Sequence, residues 1–367
     1  MMLALKEVRR GKARFAAIVS ALSLIVFLVL VLGALSDGLF YGATGAVRNT
    51  TATSYVFASD AEGSLVRSRL AEKDVAAVAA VPGVEAAGPL GVLLTGGTGP
   101  KGPVDLAVFG LTPGGPGTPK SLTSGRLPGP GERGTAAVDT KLQDSGVTLG
   151  SQVSVGGVPA TVVGFVSEAE YQLQPTLWTD LQTWRAMRDA VRPELRGQPD
   201  AINAVAVTGP GATPAALAAA LPGTTALTAE QTALAIPGVE QQRSTLNSII
   251  YTTLAVAALV VGLFFALVVL EKRELFAALK ALGASTGKLG IGVVVQAVIA
   301  SIAGVLIGTV LARLFDLVIP PEVPTLFRTA TLVTIAVFTV VAGIVGALFS
   351  LRRIAKIDPA TAIGGAL

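Results

Sequence analysis

STLNSIIYTTLAVAALVVGLFFALVVL (Ser244–Leu270) is followed without a break by EKRELFAALKALGAS (Glu271–Ser285). The first stretch has 27 residues and no charge, and a helix needs roughly 20 apolar residues to cross a bilayer. The second stretch is short and charged, and Gly283 near its end is typical of a helix C-terminus. We therefore predict a helix that leaves a membrane and a second helix that continues at its surface.

Three other stretches are equally free of Asp, Glu, Lys and Arg, namely Phe15–Ser36, Leu289–Ala312 and Thr329–Leu351. The chain of 367 residues is 51% hydrophobic and 14% charged, whereas about a quarter of the residues in a soluble domain are charged. Backbone groups in hydrocarbon need hydrogen bonds within their own segment, which a helix provides. We predict four transmembrane helices, one before and three after a large intervening domain.

The distribution of charge orients these helices. Lys and Arg are concentrated in residues 1–14 and in the segments that follow the second and fourth spans. The positive-inside rule places these segments, and both termini, in the cytoplasm. Asp37–Arg243 carries 18 acidic and 14 basic residues, and the rest of the chain 6 acidic and 14 basic. The net charge of +4 therefore reflects topology, and we predict no nucleic-acid partner.

These positions divide the chain into nine predicted segments. They are a cytoplasmic amphipathic helix (1–14), span 1 (15–36), an extracytoplasmic domain (37–243), span 2 (244–270), a cytoplasmic helix and loop (271–288), span 3 (289–315), an outer loop (316–328), span 4 (329–351) and a cytoplasmic tail (352–367). A cleaved signal peptide is the alternative for residues 1–36, but 22 uncharged residues exceed the usual apolar core of roughly 7–15.

The chain has neither cysteine nor histidine. This excludes a disulfide scaffold, zinc sites built from Cys and His, and a Ser-His-Asp triad. Residues 283–289 (GASTGKL) superficially match a phosphate-binding loop, but the glycines are one residue too close and no Ser or Thr follows the lysine. We predict that the chain is not an enzyme and that any ATP hydrolysis comes from another chain.

Pro and Gly recur throughout the extracytoplasmic domain, which indicates an α+β fold with many turns. Tyr55–Ala58 and Ala204–Thr208 have the β-branched and aromatic content of strands. Lys73–Val84 and Thr213–Thr224 each read as a helix stopped by Pro-Gly, with a strand candidate nearby. The repeated unit predicts a small split βαβ layer, and chance similarity between two Ala-rich segments is the alternative.

The middle of the domain predicts a β-rich subdomain of 70–100 residues inserted into this layer. Gln152–Val155 and Ala160–Val166 are joined by Gly156-Gly157, and Gly-Gly between two valine-rich runs is a hairpin signal. Gly91–Pro119 is rich in Gly and Pro, and we predict a mobile loop there.

The charged stretch after span 2 has helical periodicity. Leu275, Ala278, Leu279 and Leu282 share one face, and charged residues surround it. Such a helix can rest on lipid or dock in the groove of a partner. An ordinary cytoplasmic loop carrying positive-inside charges is the alternative.

Three motifs resemble the FtsX/MacB-type (type VII) permeases of ABC transporters. The pattern E-x-R-E-L-x-A-L-x-A-L-G-A-S over Glu271–Ser285 is similar to the coupling segment of that family. Leu3–Arg14 resembles its opening amphipathic helix, and Arg352–Ala360 resembles its closing motif. The arrangement of one span, a large domain and three spans is also similar. Phe276 departs from the pattern, because the family commonly has Ile followed by Gly there.

The resemblance implies a mechanism called mechanotransmission. A second copy of the chain and a cytoplasmic ABC ATPase dimer, which binds ATP and magnesium, would be the partners in a bacterial plasma membrane. Closure of the ATPases would push on the coupling residues, tilt the spans and move the extracytoplasmic domains, so that substrate is expelled from the outer leaflet. The implied coupling residues are Glu271, Arg273, Glu274, Leu275, Leu279, Leu282 and Gly283.

The substrate prediction concerns the outer ends of spans 1 and 2. The compact domain looks most like that of the HrtB-type haem-exporter permeases, so haem is the favoured substrate. The candidate residues are Asp37, Phe40, Tyr41, Arg48, Glu240, Arg243 and Tyr251. The arginines would pair with the haem propionates, and Glu240 or Tyr251 would ligate the iron. The alternative is a belt of aromatic and charged residues that contacts membrane lipid at headgroup level.

Two rival functions stay open at this point. One is export of an antibiotic, a peptide or a lipid by the same mechanism. The other is an FtsX-like regulator that transports nothing and activates a cell-wall hydrolase through its extracytoplasmic domain. We predict no intrinsic cofactor and no metal site apart from the possible ligands of haem iron.

Overall fold

The computed structural model describes residues 12–271, 273–282, 285–320 and 323–355, and these residues form two compact units. The helical unit comprises residues 12–38 together with those from Ser244 onward, and the sheet unit is Leu39–Arg243. The predicted amphipathic helix at 1–14 and tail at 352–367 lie wholly or mostly outside the described residues.

The helices and strands have the following bounds. The helices are α1 (Lys12–Arg48), α2 (Asp74–Ala79), α3 (Leu181–Val191), α4 (Pro214–Ala220), α5 (Ala229–Ala235), α6 (Val239–Glu271), α7 (Arg273–Ala281), α8 (Thr286–Asp316) and α9 (Thr329–Ala355). The strands are β1 (Ser54–Ala58), β2 (Leu70–Ala71), β3 (Ala86–Gly99), β4 (Gly102–Leu111), β5 (Leu122–Gly125), β6 (Thr135–Asp139), β7 (Gln152–Val155), β8 (Val158–Val166), β9 (Thr176–Asp180), β10 (Ala201–Ile202), β11 (Ala204–Thr208) and β12 (Thr224–Thr228).

Four helices in the described part of the chain are long and apolar enough to cross a membrane, and they are α1, α6, α8 and α9. The predicted number of spans is therefore confirmed. The helices run beyond the predicted membrane segments: α1 continues from Ser36 to Arg48, and α6 begins at Val239, before Ser244. Neither extension contains proline, which would interrupt the helical hydrogen bonds.

Small residues allow the transmembrane helices to pack closely. A Cβ atom added to Gly304 of α8 would lie 2.8 Å from Cβ of Leu22, and one added to Gly308 would lie 2.8 Å from Cβ of Val26. Both contacted residues belong to α1 and are buried. Without a hydrophobic effect between helices in lipid, such backbone approach supplies much of the attraction.

The sheet unit contains the predicted split βαβ layer, here in duplicate. The strands lie in the order β12–β1–β11–β3, and every neighbouring pair is antiparallel. The first unit connects β1 through α2 to β3, and the second connects β11 through α4 to β12. The two units interleave as in ferredoxin-like domains. Each helix ends two or three residues before the predicted Pro-Gly, which confirms the repeat.

The β-rich subdomain is inserted between β3 and β11. The sheet continues from β3 through β4, β9, β6 and β8 to β5, with β4–β9 and β6–β8 parallel. The predicted hairpin is confirmed as β7 and β8, joined by Gly156 and Gly157, which both have positive φ. The fold class, four transmembrane helices with an α+β domain that contains a β-rich subdomain, is as predicted.

The prediction of a mobile loop at Gly91–Pro119 is wrong. Most of this segment is the hairpin of β3 and β4, in which ten residue pairs lie in register from Leu90–Leu111 to Gly99–Gly102. Gly91 and Gly110 face each other across the hairpin, and a Cβ atom at either would overlap the side chain of Trp184. The lack of a side chain at these two positions leaves room for the indole ring of Trp184. The prediction failed because a high content of Gly and Pro, taken alone, indicates a loop.

Candidate functional site

Helix α7 is held in the helical unit by residues other than those of its predicted apolar face. Phe276 is 8% exposed and Ala277 is 1% exposed, and both pack in a cluster with Phe265 and Val293. Phe276, the departure from the family pattern, is therefore the anchor of this helix. The sequence periodicity missed it because Phe276 and Ala277 are adjacent in the chain and do not repeat.

The predicted apolar face points away from that cluster. Leu275 is 49% exposed and Leu282 is 84% exposed, Ala278 is exposed, and Leu279 is half-buried. Glu271 and Glu274 are exposed as well. The other two predicted coupling residues, the side chain of Arg273 and all of Gly283, lie outside the described residues. Phe276 and Ala277 therefore anchor the helix, while Leu275 and Leu282 are exposed.

The outer end of α1 belongs to the sheet unit, where it is hydrogen-bonded to the β8–β9 loop (167–175). The backbone N–H of Ala46 donates to the carbonyl oxygen of Glu170 at 2.8 Å, and that of Leu173 donates to the carbonyl oxygen of Gly42 at 3.0 Å. A Cβ atom at Gly45 would overlap the carbonyl oxygen of Glu168. The loop is thus bonded to the helix at two points and packs tightly against it at Gly45.

A second contact fixes the last turn of α1. The hydroxyl of Tyr55 on β1 donates to the carbonyl oxygen of Val47 at 3.0 Å and lies 2.7 Å from Oγ1 of Thr50. Tyr55 is buried in the core on one face of the sheet, together with Ala43 and Val47 of α1. The sequence analysis did not predict the attachment of α1 to the sheet unit. The available signal was the spacing Gly42-x-x-Gly45, because glycines allow another segment to approach a helix closely.

A buried carboxylate supports the β8–β9 loop. Asp139, at the end of β6, is 2% exposed, and its oxygens accept from the N–H of Lys141 at 2.9 Å and of Ala169 at 3.3 Å. Nζ of Lys141 lies 2.7 Å from Oε1 of Glu170. Burial raises the pKa of Asp139 from 3.8 to about 6, and the negative charge of Glu170 adds to this rise.

Replacing Asp139 with asparagine is expected to flatten the dependence of stability on pH. The folded state holds the proton of Asp139 more tightly than the unfolded state does, so its contribution to the free energy of unfolding declines as the pH rises through about 6. The loss amounts to about 1–3 kcal/mol. Melting temperatures of the full chain in detergent at pH 4.5 and 7.5 would measure it. An equal pH slope in wild type and Asp139→Asn would contradict the expectation.

Four of the seven predicted substrate residues lie together in the sheet unit. Cζ of Arg243 lies 4.5 Å from the ring centre of Phe40, and Cζ of Arg48 lies 5.1 Å from Phe40 and 4.6 Å from Tyr41. The two rings are 5.4 Å apart and perpendicular. Among the described residues, no carboxylate forms an ion pair with either guanidinium. We call these four residues the aromatic–arginine cluster.

The other three predicted residues are placed differently. Asp37, in the helical unit, accepts a hydrogen bond from the hydroxyl of Thr331 on α9. Tyr251 is 59% exposed and its ring lies 6.5 Å from that of Phe338. Glu240, in the sheet unit, is exposed in the first turn of α6. In the described residues no group of three or more Asp or Glu side chains is arranged to hold a metal ion.

Two family profiles together match most of the chain. The profile of the MacB-like periplasmic core domain matches residues 15–224, which is more than half of the chain, and that of the FtsX-like permease C-terminal domain matches residues 247–359. The chain belongs to the FtsX/MacB-type permeases. The sheet unit of this permease is accordingly its extracytoplasmic domain, and the motif-based prediction of the family is confirmed.

Individual relatives agree with the family. An uncharacterized ABC transporter permease of Mycobacterium tuberculosis is 28% identical over 99% of both chains, and one of Mycobacterium bovis is 27% identical over 99% of both. A Staphylococcus haemolyticus protein named as the permease HrtB of a hemin transport system is 25% identical over 35% of this permease and 37% of its own length. The periplasmic region of MacB from Actinobacillus actinomycetemcomitans superposes with a TM-score of 0.38 at 13% identity, covering 50% of this permease and 92% of that structure.

Proposed function

We propose that this permease is the membrane subunit of an ATP-driven exporter that works by mechanotransmission. A cytoplasmic ATPase would dock on α7, and two permease chains would pair with two ATPase chains. The observation that carries the proposal is the division of α7 into an anchor and a free face. Phe276 and Ala277 fix the helix, while Leu275 and Leu282 are exposed for a groove in the ATPase. This docking would require α7 and both termini to lie in the cytoplasm, which is the orientation that the charge distribution predicts.

The continuity of α1 supports the transmission of force to the extracytoplasmic domain. One helix runs from Lys12 to Arg48 without a break. Its outer end is bonded to the β8–β9 loop through Ala46 and Gly42, and to β1 through Val47. A movement of the helix would therefore displace the loop and the sheet together, since a packed core transmits strain instead of absorbing it.

We further propose an amphipathic acid, with haem as the first candidate, as the substrate. The aromatic–arginine cluster offers two aromatic rings and two guanidiniums at one place, which suits a flat molecule with carboxylates. Glu240 or Tyr251 would ligate the iron, since the chain has no histidine to do so. The partial similarity to a hemin transport permease is the other support.

The test is reconstitution of the permease with its ATPase in proteoliposomes. Hemin is expected to shift its Soret band on binding and to stimulate ATP hydrolysis. Arg243→Gln is expected to weaken hemin binding about tenfold or more, because one charge-assisted contact is worth about 1.5–3 kcal/mol. Arg133→Gln, at an exposed arginine of the sheet unit, is the matched control.

The outcomes separate the parts of the proposal. An unchanged Soret band and no stimulation would reject haem and favour an antibiotic, a peptide or a lipid. Loss of binding in Glu240→Gln or Tyr251→Phe, with retention in the other, would identify the iron ligand. ATP hydrolysis that is coupled to no transported molecule would favour a regulator of a cell-wall hydrolase.

A further inference from the structure

A small cavity in the sheet unit is lined by three arginines. Its volume is about 20 Å³, enough for one water-sized group, since a single water needs roughly 10–15 Å³ by the same measure. Arg69, Arg188 and Arg192 contribute the positive charge, and the remaining walls are mainly apolar. Those walls are formed by Val92, Leu93, Trp184, Leu195, Ala201, Ile202 and Asn203.

Arg188 is the deepest of the three, with 3% of its surface exposed. Its Nε donates to Oδ1 of Asp189 at 2.8 Å, and its Nη1 donates to the carbonyl oxygen of Ala201 at 3.0 Å. Nη2 lies 2.7 Å from the same oxygen of Asp189, but the angles are not those of a hydrogen bond. In the described part of the chain, Nη2 has no hydrogen-bond acceptor. A buried guanidinium is thus left with unused donors.

The indole of Trp184 has the same deficit. Its Nε1 is buried and has no acceptor among the described residues, and the residue lines the cavity beside Arg188. Cζ of Arg188 lies 5.2 Å from the ring centre of Trp184. Buried donors are satisfied in nearly all native structures, and an unpaired one commonly marks a missing water or ion. Two such donors at one cavity point to a missing acceptor.

The other two arginines leave positive charge uncompensated. Arg69 donates through Nη1 to the carbonyl oxygens of Val66 and Ser68, at 2.8 and 2.7 Å, and these are neutral groups. The side chain of Arg192 has neither a hydrogen bond nor an ion pair among the described residues. Burial lowers the pKa of Arg69, and the nearby charges of Arg192 and Arg188 lower it further. Among the described residues, Asp189 is the only carboxylate that forms an ion pair with any of these three arginines. Three positive charges therefore face one negative charge.

We propose that this cavity binds one oxygen of a small oxyanion, such as a carboxylate or phosphate group, between Arg188 and Arg192. Guanidinium groups are suited to oxyanions because their N–H donors match the spacing of the oxygens. The apolar walls lower the local dielectric constant and so strengthen the interaction of the anion with the arginines. The site is separate from the aromatic–arginine cluster and does not depend on the identity of the exported molecule.

The two tryptophans of the chain provide a direct assay. Trp184 lines the cavity, whereas Trp178 is buried against Phe109 in the core on the other face of the sheet. In the full-length Trp178→Phe chain, purified in detergent, the fluorescence reports on Trp184 alone. Sodium acetate or sodium phosphate is added at constant ionic strength, which is set with the larger anion isethionate. We expect a saturable change in fluorescence and a rise in melting temperature.

Variants decide whether the cavity is responsible. Arg192→Gln is expected to weaken anion binding at least tenfold without loss of folding, because this side chain has no partner among the described residues. Arg133→Gln, which removes the same charge elsewhere, is expected to bind as the parent does. Acetate binding alone would identify a carboxylate site, and phosphate binding would identify a tetrahedral one. No saturable change with either anion up to 100 mM (about a hundredfold above an ordinary 1 mM site), or equal binding by Arg192→Gln, would overturn the proposal.

Discussion

Replacing Leu275 and Leu282 together with aspartate is expected to abolish ATPase-driven export while the permease stays folded. Both side chains are exposed, at 49% and 84%, so their loss removes little internal packing. Burying two carboxylates in an apolar groove of the ATPase would be costly, and the loss of a central apolar anchor is typically worth about 2–4 kcal/mol. That corresponds to a complex weakened by about 30-fold to 1,000-fold.

The measurement is co-purification of the permease with its ATPase, followed by ATP hydrolysis in proteoliposomes. Leu149→Asp is the control, because Leu149 lies in the sheet unit and is as exposed, at 50%, as Leu275. A reversed charge at Glu274, also exposed, is expected to weaken the complex less. Wild-type assembly and hydrolysis by the double variant would show that the ATPase docks elsewhere.

Gly45→Ala is expected to destabilise the permease by about 1–3 kcal/mol, the usual cost of forcing an atom into a packed core. In a helix interior this substitution ordinarily stabilises by up to about 1 kcal/mol. At Gly45 the added Cβ would overlap the carbonyl oxygen of Glu168 and lie 2.9 Å from its carbonyl carbon. The β8–β9 loop would have to move away from α1, and its hydrogen bonds to Ala46 and Gly42 would break.

Gly292→Ala on α8 is the control, because no atom lies within 4 Å of its added Cβ. The melting temperature of the full chain is expected to fall for Gly45→Ala and to rise or stay level for Gly292→Ala. Protection of the Ala46 amide from hydrogen exchange is expected to drop in the first variant alone. If both glycines respond in the same direction, the β8–β9 loop does not hold α1.

Local signals in the sequence were sufficient for much of this fold. Each transmembrane helix is set by an uncharged run, which is a property of neighbouring residues. The two helices that end just before Pro-Gly, and the hairpin at Gly156-Gly157, likewise depend on residues close in the chain. The two helices predicted the split βαβ layer before any contact between strands was known, and the interleaving of its two units came from the structure.

Features that depend on distant residues were not predictable in this way. The hydrogen bond between Ala46 and Glu170 joins positions more than 100 residues apart. The glycines at 91 and 110 are explained by Trp184, which lies 93 and 74 residues further along the chain, respectively. In the candidate substrate site, Arg48 contacts Phe40 and Tyr41 two turns earlier on the same helix, a local relation. The contact of Arg243 with Phe40, by contrast, required the fold.

That last contact has a consequence for how permeases of this kind diversify. Arg243 and Phe40 stand at the two ends of the sheet unit, and they touch; β1 and β12, its first and last main strands, are also paired. A segment whose ends meet can be excised, lengthened or exchanged as a cassette without stretching the flanking chain. The β-rich part repeats this arrangement on a smaller scale, since it leaves β3 and returns to β11 beside it. Exchange at either pair of junctions would change the extracytoplasmic domain and leave the transmembrane helices unchanged.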